Sequence, residues 1–367
     1  MHTDLLYQIA LSQIPNIGCV RAKTLADHFD TAEAIFKAKK STLERIDGIG
    51  TVRAESIKNF TDFTLAEQEL KFTEKYKIQP LFITSKHYPQ RLLNCYDSPT
   101  ILYYRGEANL NYSKTIAVIG TRSNTEYGKS LTEKLLKELA SEKILVLSGL
   151  AFGIDTYAHK AALKNSLPTV GVLAHGLDTI YPAENTRLAK QMVAEGGGIL
   201  SEFASGTKPD KHNFPTRNRI VAGMADATIV IETDIKGGSM ITAELANNYN
   251  RDVFAFPGKT TDAKSKGCNY LVRSNKAALI TCAQDLLEHM GWLPQPEKKN
   301  KIQRELFIEL TADEKILVDM LNQNEQLPID EIYLKSQLST SLVAAALLSL
   351  ELQGIVMSLP GKVYKLL

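Results

Sequence analysis

The sequence predicts an α/β protein built on a doubly wound parallel sheet, with a small helical module before it and a helix-rich unit after it. Three observations carry this. From Thr115 onward short apolar runs alternate with helical stretches. Those runs are apolar almost throughout, so both faces of each strand are expected to be buried, as in a parallel sheet. And between Gly120 and Gly267 nearly every run ends in glycine and polar residues, which marks the edge where such a sheet binds ligands.

The first segment, residues 1–65, reads as short helices holding a repeat. Leu11-Ser12-Gln13-Ile14-Pro15-Asn16-Ile17-Gly18 aligns with Leu43-Glu44-Arg45-Ile46-Asp47-Gly48-Ile49-Gly50, and the match continues to Ala22 and Ala54. This looks like a tandem helix-hairpin-helix module of SAM-like type. Its glycine turn ends one helix and points the next helix's free N–H groups outward, where they can hold a phosphate. Asn16 stands where the second copy has Gly48, and Asn tolerates the same left-handed backbone. Contact with DNA and a purely packing role both fit the module.

Residues 66–292 are expected to form the sheet domain. Tyr88–Leu93 and Ser98–Gly106 suggest a turn and then a strand leading into it, and Leu81–Thr84 suggests another. Its main strands are expected at Thr115–Ile119, Ile144–Leu147, Thr169–Ala174, Gly198–Glu202, Ala227–Glu232, Asp252–Phe256 and Ala278–Thr281. Helices fill the gaps, for example Tyr127–Ser141 with leucines 131, 135, 136 and 139 on one face. Strand–helix units in series imply right-handed crossovers. A polar, proline-containing linker follows at 293–304. Residues 305–367 then read as helices near Asp313–Asn322, Ile329–Ser336 and Ser339–Gln353, with a hairpin of Ile355–Ser358 and Lys362–Leu366 around Pro360-Gly361. That order resembles a winged helix. Its third helix carries no Arg or Lys, whereas DNA-reading helices use basic and amide side chains, so protein contact or packing is the expected role.

Composition narrows the function. A net charge of +2 at 44% hydrophobic residues suits a globular protein and neither requires nor excludes nucleic acid. Four scattered cysteines contain no CxxC, which argues against a zinc knuckle or disulfide framework. The N-terminus is unlike a signal peptide and no apolar run reaches membrane-spanning length, so a cytoplasmic protein is expected. Gly128-Lys129-Ser130 imitates a P-loop, but Ser123 stands where that motif needs glycine. GxGxxG is absent too, so neither ATP nor a dinucleotide is expected, and no cofactor is inferred.

The remaining motifs point to an anionic polymer. Gly120 and Arg122 close one strand, where the arginine can fork onto a phosphate. Ser148, Gly149 and Gly153 lead into a helix whose N-terminus attracts anions. His175 and Gly176 end another strand, where the ring can stack on a base or simply sit in the loop. Asn185 and Arg187 follow Tyr181-Pro182. Phe214 precedes Arg217, Asn218 and Arg219, the mixture of ring and charge that suits single-stranded nucleic acid. The same arginines can instead pair with Glu202 or Asp226. Gly237, Gly238 and Ser239 open a further helix. Asp155 and His159 stand four apart, but a metal would need a third ligand.

Taken in order, these motifs resemble the DNA-processing protein A family, known as DprA or Smf. The matching pieces run from Ile119-Gly120-Thr121-Arg122 through Phe214-Pro215-Thr216-Arg217-Asn218-Arg219 to Pro257-Gly258. The resemblance covers about residues 80–290, and the flanking modules fit its layout. It implies an extended Rossmann-like domain that binds single-stranded DNA, forms homodimers, protects incoming DNA during natural transformation and loads the RecA recombinase. It places Arg122 and the Tyr181–Arg187 segment in a phosphate-binding pocket. His175 departs from the small residue usual there. The family also resembles nucleotide-processing Rossmann proteins, which leaves a nucleotide or nucleotide-sugar hydrolase using Glu232 and the Gly237-Gly238 loop as the alternative to a non-enzymatic binder.

Overall fold

The structure, a computed structural model, describes residues 2–293, 310–324, 326–359 and 362–367. The chain forms two compact units divided after Leu293. Most of the linker expected at 293–304 and the Pro360-Gly361 turn lie outside the described residues. Among those residues no helix is long and apolar enough to cross a membrane.

The first unit is built on a nine-stranded sheet. Its strands are β1 (Gln79–Phe82), β2 (Ile101–Gly106), β3 (Lys114–Ile119), β4 (Ile144–Ser148), β5 (Thr169–Val172), β6 (Gly198–Ser201), β7 (Ala227–Val230), β8 (Asp252–Ala255) and β9 (Ala278–Leu279). They lie in the order β1-β2-β6-β5-β4-β3-β7-β8-β9. From β6 to β9 all neighbours are parallel, as the apolar runs predict. β2 runs antiparallel to both β1 and β6. The link over 107–113 is too short for a crossover, so β2 must end at the edge of the sheet from which β3 starts. β3 to β6 step one way and β7 to β9 the other, so the order reverses between β3 and β7. The C-terminal ends of those two strands open a crevice.

The sequence predicts a separate helical module at 1–65, yet its helices share a core with the sheet. Leu25, Ile35 and Ile57 belong to one buried cluster with Phe82, Leu92 and Ile220, and Lys23 Nζ donates to the Leu93 carbonyl at 2.7 Å. The repeat is visible in the backbone: Asn16 has φ 66° and Gly48 has φ 75°. The two hairpins hold each other through equivalent arginines. Arg53 donates to the carbonyls of Asn16 (3.3 Å) and Gly48 (3.1 Å), while the Arg21 guanidinium occupies the space where a Cβ on residue 48 would project.

The second unit has the helices Ala312–Asn322, Ile329–Ser336 and Thr340–Leu352 and a sheet of β10 (Leu327–Pro328), β11 (Val356–Leu359) and β12 (Val363–Leu366). The strand order is β10-β12-β11. Thr311 and Glu314 form a capping box at the first helix, and Ser339 caps the third. Leu317, Ile332, Val343, Leu347 and Val356 make its core. β10 is the one element the sequence pattern does not announce, because two residues ending in proline carry no alternation to read. Leu342, Leu348 and Leu352 of the third helix stay exposed.

Candidate nucleic-acid interface

A groove of about 520 Å³ lies over the C-terminal ends of β3, β4 and β7. Gly120, Thr121 and Arg122 form one wall and the start of the Gly238–Asn248 helix forms the opposite one. Gly237 precedes that helix in extended conformation, and no side chain caps its first N–H groups. They present the positive end of the helix dipole to the groove. Phe214 and Lys211 border the groove at one end.

The arginines predicted for this edge have divided tasks. Arg122 is exposed, and its guanidinium lies 4.9 Å from the centre of the Phe214 ring. It makes no hydrogen bond or ion pair among the described residues. Phe214 in turn lies 6.1 Å from Tyr181, so the cation continues a short aromatic row. Arg217 is buried although it borders the groove. It donates to the carbonyls of Gly149 (2.6 Å) and Val172, and to Asn218 Oδ1 at 3.0 Å. Burial lowers its pKa to about 10, with the Asp155 carboxylate opposing that shift. Residue 149 must be glycine here, since a Cβ would come 2.6 Å from the guanidinium.

Arg219 corrects the sequence-based expectation more fully. It is turned inward, pairs with Glu202 and donates to the Asp97 carbonyl, and it does not line the groove. Nothing in the run Phe214-Pro215-Thr216-Arg217-Asn218-Arg219 distinguishes an inward arginine from an outward one, so only the position of Glu202 across the core decides. Asp226, the other partner considered, is bound by Arg91 at 2.5 Å. Burial pushes Glu202 up to about 7 even though Arg219 pulls the other way.

Several other expected contacts are structural. Ser148 is buried and donates to the Val118 carbonyl at 2.7 Å. Asn185 is buried and donates to the Leu150 carbonyl and Thr156 Oγ1, both at 2.9 Å, steadying Leu150 at φ 55°. Gly153 has φ 75° and backs directly onto the Thr121 carbonyl, which lets the Ile154–Lys164 helix start beneath the β3 loop. Asp155 accepts from the N–H groups of Gly149 (3.1 Å) and Ala151 (3.3 Å), so it fixes the turn after β4. His159 instead meets Thr169 Oγ1 at 2.7 Å. That hydroxyl already donates to Val146 O, so His159 Nδ1 carries the proton. Asp155 and His159 thus serve different partners, and the described residues hold no cluster of three metal-ligating side chains.

His175 is buried with Nδ1 2.9 Å from the Gly176 carbonyl, and it lines a narrow recess beside the groove with Tyr181 and Phe214. Burial lowers its pKa, against the backbone hydrogen bond to Gly176. The Gly176 N–H is held by the Thr207 carbonyl at 3.0 Å. Arg187 is exposed on the Thr186–Ala194 helix but does not line the groove. Glu232, the acid of the hydrolase alternative, is buried and accepts from Thr125 N (2.9 Å) and Oγ1 (2.5 Å). It secures the cap of the Glu126–Glu138 helix, which also contains Gly128-Lys129-Ser130, and it is not in the groove. The hydrolase alternative therefore lacks its acid at the ligand surface.

Sequence reasoning missed Lys211, Thr121 and Thr242, which all line the groove. Lys211 follows Lys208 ahead of Phe214, and that pair of lysines before the aromatic was the available signal.

A family model described as DNA recombination-mediator protein A matches residues 79–291. A helix-hairpin-helix model matches 8–67, and a DprA winged helix domain model matches 308–362. Protein Smf of Synechocystis sp. is 33% identical over 99% of this chain and 99% of its own length. DNA processing protein DprA of Streptococcus pneumoniae is 41% identical over 58% of this chain and 75% of its own. Among solved structures, DNA processing protein A from S. pneumoniae superimposes with a TM-score of 0.65 at 33% identity, covering 77% of this chain and 95% of that one. A structure describing the single-stranded DNA binding mode of DNA processing protein A from Helicobacter pylori gives 0.53 at 32% identity, covering 59% and 97%.

Proposed function

Because the chain belongs to the DNA recombination-mediator protein A family, we propose that it binds single-stranded DNA in the groove, protects incoming strands during natural transformation and loads RecA onto them. The work is binding, not chemistry. The observation that carries this reading is Arg122, exposed and unpaired, lying over Phe214 beside an uncapped helix N-terminus. The guanidinium suits a phosphate, the ring suits a base, and the Gly238 and Ser239 amides suit a second phosphate oxygen. The single-stranded DNA binding described for the H. pylori relative supports it.

Under this reading Gly120, Arg122, Phe214, Asn218 and the Gly237–Ser239 turn meet the strand. Ser148, Gly149, Gly153, Asn185, Arg217 and Arg219 shape the site from within. His175 and Gly176 flank it, and Arg187 serves only a strand that leaves by that side. The protein works in the cytoplasm as a homodimer. We assign the functional modules to 1–65, 66–292 and 305–367, joined by 293–304. The deciding experiment is a filter-binding salt titration with single-stranded and duplex DNA. Preference for the single strand, and a slope that falls by about 0.7 in Arg122→Ala, is the expected outcome. Equal affinity for both forms, or an unchanged affinity in the variant, would reject the site.

A further inference from the structure

The groove continues into a basic shoulder formed by the loops after β7 and β8. Lys264 Nζ donates to Ser123 Oγ at 2.7 Å, which brings a second cation next to the loop of Arg122. The loops are tied together by backbone and side-chain bonds. Gly267 N–H donates to Thr233 O at 2.8 Å, and Tyr127 Oη donates to Pro257 O at 2.9 Å. Lys236 and Lys259 are exposed on these loops, and Lys266 is exposed at the start of the Lys266–Arg273 helix that follows. None of these four lysines forms an ion pair among the described residues.

The neighbouring carboxylates are bound to other groups and form no ion pair with them among the described residues. Asp262 accepts from Lys264 N–H and Ser265 Oγ, as the cap of a short turn. Glu126 holds Lys129 at 3.2 Å and Glu232 is buried on Thr125. Asp234 accepts from the Ile235 N–H. The opposite flank of the groove differs in kind: Phe152 and Tyr181 are exposed there, next to the exposed acids Asp178 and Glu184.

We propose that a DNA strand bound at Arg122 leaves the groove over the ends of β7 and β8, with successive phosphates on Lys264, Lys259 and Lys266. This rests on the groove reading and gives the bound strand a direction across the sheet edge. Lys259 and Lys266 lie beyond the groove, so a short strand does not need them and a long one does.

The test compares oligothymidylates of about 6 and about 30 nucleotides. In Lys259→Ala/Lys266→Ala the salt slope for the long strand is expected to fall by about 1.4, since each single-strand phosphate contact contributes about 0.7. The short strand should keep its affinity within about twofold, and melting should be unchanged because both side chains are exposed. An unchanged slope with the long strand, or an equal loss with both lengths, overturns the path. If the unaltered protein binds neither strand, the groove reading itself has failed.

Discussion

At the ends of β3 and β7 the groove is bordered by Arg122, Lys211 and Phe214, whereas the exposed residues of the Thr340–Leu352 helix include Leu342, Leu348 and Leu352 and no cation. The first region is a sheet edge that needs no particular motif to bind a ligand. The second has the helix order of a DNA reader, yet its third helix offers no basic donor to a phosphate or base edge. Architecture alone favours the second region as the DNA reader, whereas the side chains favour the first. The sheet edge is also divided internally. Arg122 faces solvent, while Arg217 and Arg219, both on the Asn213–Met224 helix, turn toward the core.

Arg217→Ala strikes this division hardest. It should destabilise the first unit by about 2–4 kcal/mol, because it leaves two buried carbonyls without this donor. Thermal denaturation measures it, and a melt like that of the unaltered protein would mean that Arg217 is not part of the internal frame.

Acid acts on the same frame. His159 is buried and neutral, with its pKa lowered to about 3 by burial and by Arg217, against an ordinary value of 6.5. Between those values the unfolded chain binds a proton that the folded chain refuses. This contribution to stability is complete above about pH 6.5 and is lost as the pH falls toward 3. Glu202, pushed up to about 7 by burial, contributes the opposite slope over part of this range, so the stability of the unaltered protein relative to His159→Gln is what should fall in melts recorded from pH 7 to 4.

Arg122→Ala should leave the melt unchanged and weaken binding of single-stranded DNA on the order of tenfold, about 1.4 kcal/mol, regardless of base sequence. Fluorescence anisotropy with oligomers of different sequence checks both halves of that statement. Leu348→Asp on the second unit should change that affinity by less than about twofold, because the helix supplies no cation. A large loss in that variant would erase the contrast between the two regions.

The strands β3 to β8 were legible because a parallel sheet buries both faces and so writes continuous apolar runs. The winged unit was legible from the order of its elements, three helical stretches followed by a hairpin pattern. The direction of β2 was not, since a single apolar run says nothing about which neighbour it pairs with. The glycines marked the edge at which the groove lies, but the types of Ser148, Asn185, Arg217 and Arg219 did not disclose which way they point. A polar residue inside a core is recognisable only from its partner, and Val118, Leu150, Val172 and Glu202 are distant in sequence.

The core shared by the first helices and the sheet affects how the chain is made. Leu25, Ile35 and Ile57 are covered by a cluster that includes Ile220, Val221 and Met224. During synthesis the N-terminal helices emerge long before residues 220–224 exist, so part of their apolar face waits uncovered while much of the sheet is still to be made. A domain that closes this late exposes a nascent chain to aggregation for the duration of that wait. Slowing translation ahead of residue 220 should lengthen it, with the first helices as the sticky end.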